Sequence, residues 1–163
     1  MAALVLGADG MNMGTRFLAT QEAPVHPNVK AAIVAADERD TRLIMRGRRD
    51  TERVLTNPAV ERIVEKEKVL GAAIKFDDIA DDVVGVYRRI MEDGETEIGA
   101  WSCAMVAGLI KDVPTCRASI DRIVGEAEAD EIAHARFASI FGKADLVVCA
   151  KQIASYSVWP WHA

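Results

Sequence analysis

The sequence predicts a mainly α fold with one or two short strands. Two observations carry this. Five segments show helical spacing or helix punctuation, whereas only Met11–Met13 and Thr41–Arg46 read as strands. The chain is also of one-domain length, and half of its 163 residues are hydrophobic, enough to bury a core without disulfide or metal staples.

The elements follow in order. Ala2–Leu6 running into Gly7-Ala8-Asp9-Gly10 reads as the last turn of a helix closed by a glycine. Met11-Asn12-Met13 alternates apolar and polar as a short strand does, and Gly14-Thr15 turns the chain out of it. Pro24 and Pro27 flank His26 in a loop. A helix follows over Asn28–Asp37, with Val29, Ile33 and Val34 on one stripe. Thr41–Arg46 is the second strand-like segment. The arginine-rich stretch Arg46–Arg53 has Asp37, Glu38, Asp40, Asp50 and Glu52 around it. A solvated, salt-bridged turn is therefore expected there rather than a phosphate-tracking surface.

The next helix has Asn57 at the cap, Pro58 at the first helical position and Gly71 past the end. Asp77-Asp78 opens another that runs to Gly94, with Ile79, Val83, Val84, Val86, Tyr87 and Ile90 inward. Asp77, Asp78, Asp81 and Asp82 complement its dipole and lack the spacing of a calcium loop. Ile98–Ile110 is rich in small residues and is expected to pack closely as a helix. Pro114 starts the last, with Ile120, Ile123 and Val124 inward. The segment His134–Ala163 changes character and carries Trp159 and Trp161 near the terminus.

Composition excludes several classes of function. A net charge of −5 argues against a general nucleic-acid binder, and 6% aromatic content argues against a base-stacking platform. No apolar run approaches the ~18 residues that span a bilayer, and Met1–Gly10 lacks the basic start of a signal peptide. Cys103, Cys116 and Cys149 are odd in number with no C-x-x-C, so no disulfide framework or structural zinc is expected; reduced thiols fit a cytoplasmic location. His26, His134 and His162 are too widely spaced to pair on one helix face as metal ligands.

One stretch carries chemistry. A glycine and a hydroxyl residue placed directly after a short strand let backbone N–H groups and a side-chain hydroxyl approach an anion. Gly14 and Thr15 have that placement. The wider segment Gly7-Ala8-Asp9-Gly10-Met11-Asn12-Met13-Gly14-Thr15-Arg16-Phe17-Leu18-Ala19-Thr20 resembles the final barrel strand of the nitronate monooxygenases, also called 2-nitropropane dioxygenases. The resemblance continues through Glu22–His26, Asp40-Thr41 and Arg53–Asn57. It resumes at Gly99–Cys103, Ala107–Ile110 and Glu126-Ala127-Glu128, and so covers residues 1–132.

The resemblance implies the carboxyl-terminal fragment of an FMN-dependent (β/α)8 barrel plus its helical substrate-side subdomain. Residues 1–36 would hold the last strand, the phosphate turn and the following helix, and 37–132 the helical subdomain and closing helices. Residues 133–163 form an atypical tail. By position, Asn12, Met13, Gly14 and Thr15 are the flavin-binding run, and FMN is the cofactor. Seven further strands and the catalytic histidine of the class would precede this one. His26 lies after the last strand, so no residue here is assigned as catalytic. A truncated or disrupted reading frame would account for both the start and the tail. The implied reaction is oxidation of an alkyl nitronate with O2, and the isolated chain is expected to be inactive and colourless, with a free strand edge that invites self-association. The G-T-R-F and A-G-L segments are also similar to those of FMN-dependent enoyl-[acyl-carrier-protein] reductases. A third reading is a non-catalytic helical remnant that associates with a partner chain.

Overall fold

A computed structural model describes Ala3 and residues 7–129. The described residues are helix-rich with two short strands, as expected. They fall into two compact units: Gly14–Thr115, and one that joins Met1–Met13 to Cys116–Ala163.

In the second of these, Ala8 N–H donates to Ala3 O at 3.0 Å across Gly7, the bond that closes a glycine-capped helix end. Met11–Met13 does not form the expected strand. A strand exists only as a ladder with a neighbour, and among the described residues no segment pairs with it. The helix Cys116–Ala129 leaves Ile120, Ile123 and Val124 half-buried and Glu126 exposed. The expectations for His134, His162, Cys149 and the tryptophan-rich tail lie outside the described residues.

The unit Gly14–Thr115 begins with a short helix, α1 (Thr15–Leu18), and a longer one, α2 (Pro27–Ala35). His26 starts α2: its Nδ1 accepts from Asn28 N–H at 3.1 Å, with Pro27 at the first helical position. A hairpin follows. Strand β1 (Thr41–Ile44) pairs antiparallel with β2 (Glu52–Leu55), Thr41 opposite Leu55 and Ile44 opposite Glu52. The second strand was not expected, because Glu52-Arg53-Val54-Leu55 does not alternate: Val54 and Leu55 are both buried, in different clusters. Leu55 N–H donates to Trp101 O at 3.3 Å and Cys103 N–H to Arg53 O at 3.1 Å, so residues 101–103 run beside β2 as extended chain. This corrects the helix expected over Ile98–Ile110, where only a 3₁₀ turn at Met105–Leu109 forms. Small residues there serve close approach of backbones: a Cβ on Gly108 would stand 2.6 Å from Glu38 N.

Successive strand residues face opposite sides, and β2 uses this to divide two cores. Val54 faces Ile44, Met45, Val60, Ile63, Ile74 and Ile79. Leu55 faces a second cluster that includes Val29, Ile33, Ile90 and Trp101. Helix α3 (Pro58–Leu70) has the predicted punctuation, with Asn57 Oδ1 accepting from Val60 N–H at 2.9 Å and Gly71 past its end. The single helix expected from Asp77 to Gly94 is instead a 3₁₀ turn (Phe76–Asp78), α4 (Ala80–Val83) and α5 (Val86–Asp93). Gly85 takes φ +72 and breaks it. The break turns Val84 and Tyr87 outward, each more than half exposed, against the inward expectation. It also buries Asp82, which pairs with Arg62 at 2.5 Å and Lys66 at 3.5 Å. Among the described residues no helix is long and apolar enough to cross a membrane.

Candidate functional site

The sequence points to the turn at Gly14-Thr15, and its local construction is simple. Phe17 and Leu18 N–H donate to Gly14 O at 2.9 and 3.0 Å, which closes α1 onto the glycine. No side chain caps the start of α1, so its leading N–H groups are left without a side-chain acceptor. Thr15 is buried, and its Oγ1 accepts from Ala104 N–H at 3.0 Å. That bond fixes the rotamer and leaves the hydroxyl proton to be donated.

Gly14 requires no special backbone: its φ is −89°. Nor is it crowded, since an added Cβ would meet no protein atom within 4 Å. Neither local conformation nor packing explains a glycine there. Asn12 is exposed and Met13 half-buried; both belong to the other compact unit.

Two long-range contacts hold the turn. One is the Thr15–Ala104 bond. The other is Arg16, whose guanidinium donates to Asp112 Oδ1 at 3.2 Å, Asp112 O at 2.9 Å and Ala19 O at 2.5 Å. Gln21 N–H adds a bond to Pro114 O at 2.9 Å. Arg16 is thereby committed to the protein and is a positioning residue for the turn. Sequence reading missed this role: an arginine after Gly-Thr is visible, but nothing local marks Asp112 as its partner. Cys103, beside Ala104, is buried, and burial pushes its thiol up to about 11, so it stays protonated and unreactive near neutrality. His26, expected in the loop at the helix entry, is the N-cap of α2. Among the described residues no group of His, Cys, Asp and Glu is placed to hold a metal ion. Asp78 and Asp82, two of the four clustered aspartates, are occupied by Lys75 N–H and by the Arg62–Lys66 pair.

The sequence profile of the family described as nitronate monooxygenase matches residues 1–126. The chain belongs to the nitronate monooxygenase family. The match spans nearly the same residues as the resemblance read from the motifs. Members of this family are flavin-dependent oxidoreductases. Curated relatives of this family member include the (3aS,4S,5R,7aS)-5-hydroxy-7a-methyl-1-oxo-octahydro-1H-indene-4-carboxyl-CoA dehydrogenases of Rhodococcus jostii and Mycobacterium tuberculosis. They are 28% and 27% identical over 77% and 85% of this chain, but over 45% and 47% of their own length. The chain thus spans about half the length of the curated relatives it matches. Among solved structures, FabK from Thermotoga maritima is similar at 34% identity and a TM-score of 0.68, over 77% of this chain and 39% of FabK. Its M276A mutant is similar at a TM-score of 0.62.

Proposed function

We propose that this chain carries the phosphate-gripping turn of a flavin site, and that the flavin is FMN. Gly14 and Thr15 hold the phosphate, and Asn12 and Met13 are the other residues the resemblance assigns to the cofactor. The observation that carries the reading is Gly14. It is a glycine that neither its φ nor its neighbours require, set at an uncapped helix start beside a threonine hydroxyl whose proton is available. A phosphate oxygen against that backbone would use the space a Cβ would take. The residues present therefore fit the group.

Bound FMN supplies electron transfer between an organic substrate and O2. The chain's own part is to bind and orient: Thr15 donates its hydroxyl proton, Ala104 N–H fixes that hydroxyl, and the Arg16–Asp112 pair keeps the turn in register. The chain corresponds to the carboxyl-terminal part of a barrel enzyme of this family, and the substrate proposed for the whole enzyme is an alkyl nitronate. The likeness to FabK supports a second reading, a flavin-dependent enoyl-[acyl-carrier-protein] reductase. Nitrite release from a nitronate supports the first reading, and enoyl-thioester-dependent NADH consumption the second.

The phosphate grip is tested by binding rather than turnover. Flavin fluorescence quenching on titration with this chain should show weak binding in which FMN is still preferred over riboflavin, which has no phosphate. Gly14→Val should abolish that preference while leaving the melting temperature near wild type. Equal affinity for the two flavins, or an FMN preference that survives Gly14→Val, would overturn the assignment.

A further inference from the structure

The tip of the β1–β2 hairpin, Arg46-Gly47-Arg48-Arg49, holds the strongest unassigned feature. A solvated, salt-bridged turn is expected here; the tip is solvated, but its arginines make no ion pair among the described residues. All three arginines are exposed. Among the described residues Arg46 and Arg49 have no ion pair or side-chain hydrogen bond, and Arg48 has only the Phe76 ring, 5.4 Å from its guanidinium carbon. Every other arginine among the described residues has a partner. The nearest in sequence are Arg39 with Asp37, Arg42 with Glu61 and Arg53 with the Thr41 hydroxyl. The acidic residues flanking the tip are mostly engaged as well: Asp37 and Asp40 accept backbone N–H bonds and Glu52 takes Ser102. Asp50 directly follows the tip and is exposed.

The tip is also built to hold its shape. Arg48 N–H donates to Met45 O at 3.2 Å and Arg49 N–H to Arg46 O at 3.1 Å. Gly47 lies so close to Gly71 that an added Cβ would stand 2.7 Å from its carbonyl oxygen. The Arg48–Phe76 stack ties the tip to the 3₁₀ turn Phe76–Asp78. In a protein of net charge −5, three guanidinium groups on four pinned residues form a compact cationic site whose planar donors match phosphate oxygens bidentately.

We infer that this hairpin tip binds the diphosphate group of a small nucleotide-type carrier. The site is too short to track a nucleic-acid backbone, and its three donors in one turn suit a clustered di- or triphosphate ligand. Two carriers share this chemistry: coenzyme A, with a 3′-phosphate, and NADPH, with a 2′-phosphate. The inference does not depend on how a flavin is held, and its test contains no flavin.

The test is to follow the backbone amide resonances of residues 46–49 in the full chain during titration with inorganic pyrophosphate, coenzyme A, 3′-dephospho-coenzyme A, NADPH and NADH. Pyrophosphate and at least one carrier should shift the tip resonances saturably, more weakly as salt is added. The carrier whose affinity falls on losing its ribose phosphate is the one selected. The double substitution R46Q/R49Q should weaken binding by about tenfold or more, or ~1.4 kcal/mol. R46K/R49K, which keeps the charge but not the fork, should fall between. R39Q/R42Q, which alters arginines already paired, should bind as wild type does. No tip response to any of the five ligands, or equal responses in wild type and R46Q/R49Q, would overturn the inference.

Discussion

Replacing Asn57 tests how the Gly14–Thr115 unit is held together. The side chain works in two directions at once. Its Oδ1 accepts from Val60 N–H at 2.9 Å and caps α3, while its Nδ2 donates to Thr96 O at 2.8 Å and Gly99 O at 2.9 Å. The residue is 6% exposed, so water does not replace these partners cheaply. In Asn57→Ala the lost cap costs about 1 kcal/mol. Gly99 O loses a buried donor, at about 1–3 kcal/mol. Thr96 O retains the Trp101 indole N–H at 3.2 Å, so its share is smaller, about 0.5 kcal/mol. The total is about 3 kcal/mol, which for a unit of roughly a hundred residues lowers the melting temperature by about 15 °C. Asn57→Ser separates the terms. Serine still caps a helix but reaches neither carbonyl, so about 2 kcal/mol, or roughly 10 °C, should be lost. Differential scanning calorimetry on both variants reads this directly. An Asn57→Ala protein melting within about 3 °C of wild type, or an Asn57→Ser protein equal to wild type, would refute the reasoning.

Gly94→Ala should destabilise by about 2 kcal/mol or more, because φ is +76 and the new Cβ would fall 2.6 Å from His26 Cε1. Gly85→Ala, with φ +72 but open space around it, should cost only about 1 kcal/mol, and urea midpoints that rank the two the other way would contradict the packing argument. Asp82→Asn should cost about 1–2 kcal/mol, less than the ~3–5 of a fully enclosed pair, because Arg62 and Lys66 are 55% and 40% exposed and keep their water. Chemical denaturation with an unchanged m-value checks it. The Cys103 thiol is held up to about 11 by burial, from an ordinary 9.0, so the folded chain keeps a proton that the unfolded chain releases. Stability should then fall as pH rises from 9.0 towards 11, and Cys103→Ala should flatten that slope. In thiol-labelling time courses at pH 8, Cys103 should be modified more slowly than the half-exposed Cys116.

What could be read from the chain before folding was whatever depends on neighbours within a turn. Asn57 and Gly71 bracket α3, Gly94 ends α5 and His26 caps α2, because each acts through a bond spanning two to four residues. The Gly14-Thr15 turn was legible for the same reason, as was the family, since its motifs are contiguous strings. Tertiary structure decided which of those residues have second jobs. The donors of Asn57 serve carbonyls 39 and 42 residues away, and Thr15 is fixed by Ala104, 89 residues on. Arg16 is taken up by Asp112, whereas Arg46 and Arg49, beside acidic sequence, have no such partner among the described residues. Composition cannot make that distinction: which carboxylate reaches which guanidinium depends on the path of the chain. The same holds for Met11–Met13 and Glu52–Leu55. A strand is a property of two segments, so alternation in the first had nothing among the described residues to pair with, and the second needed Thr41–Ile44 beside it to become a strand at all.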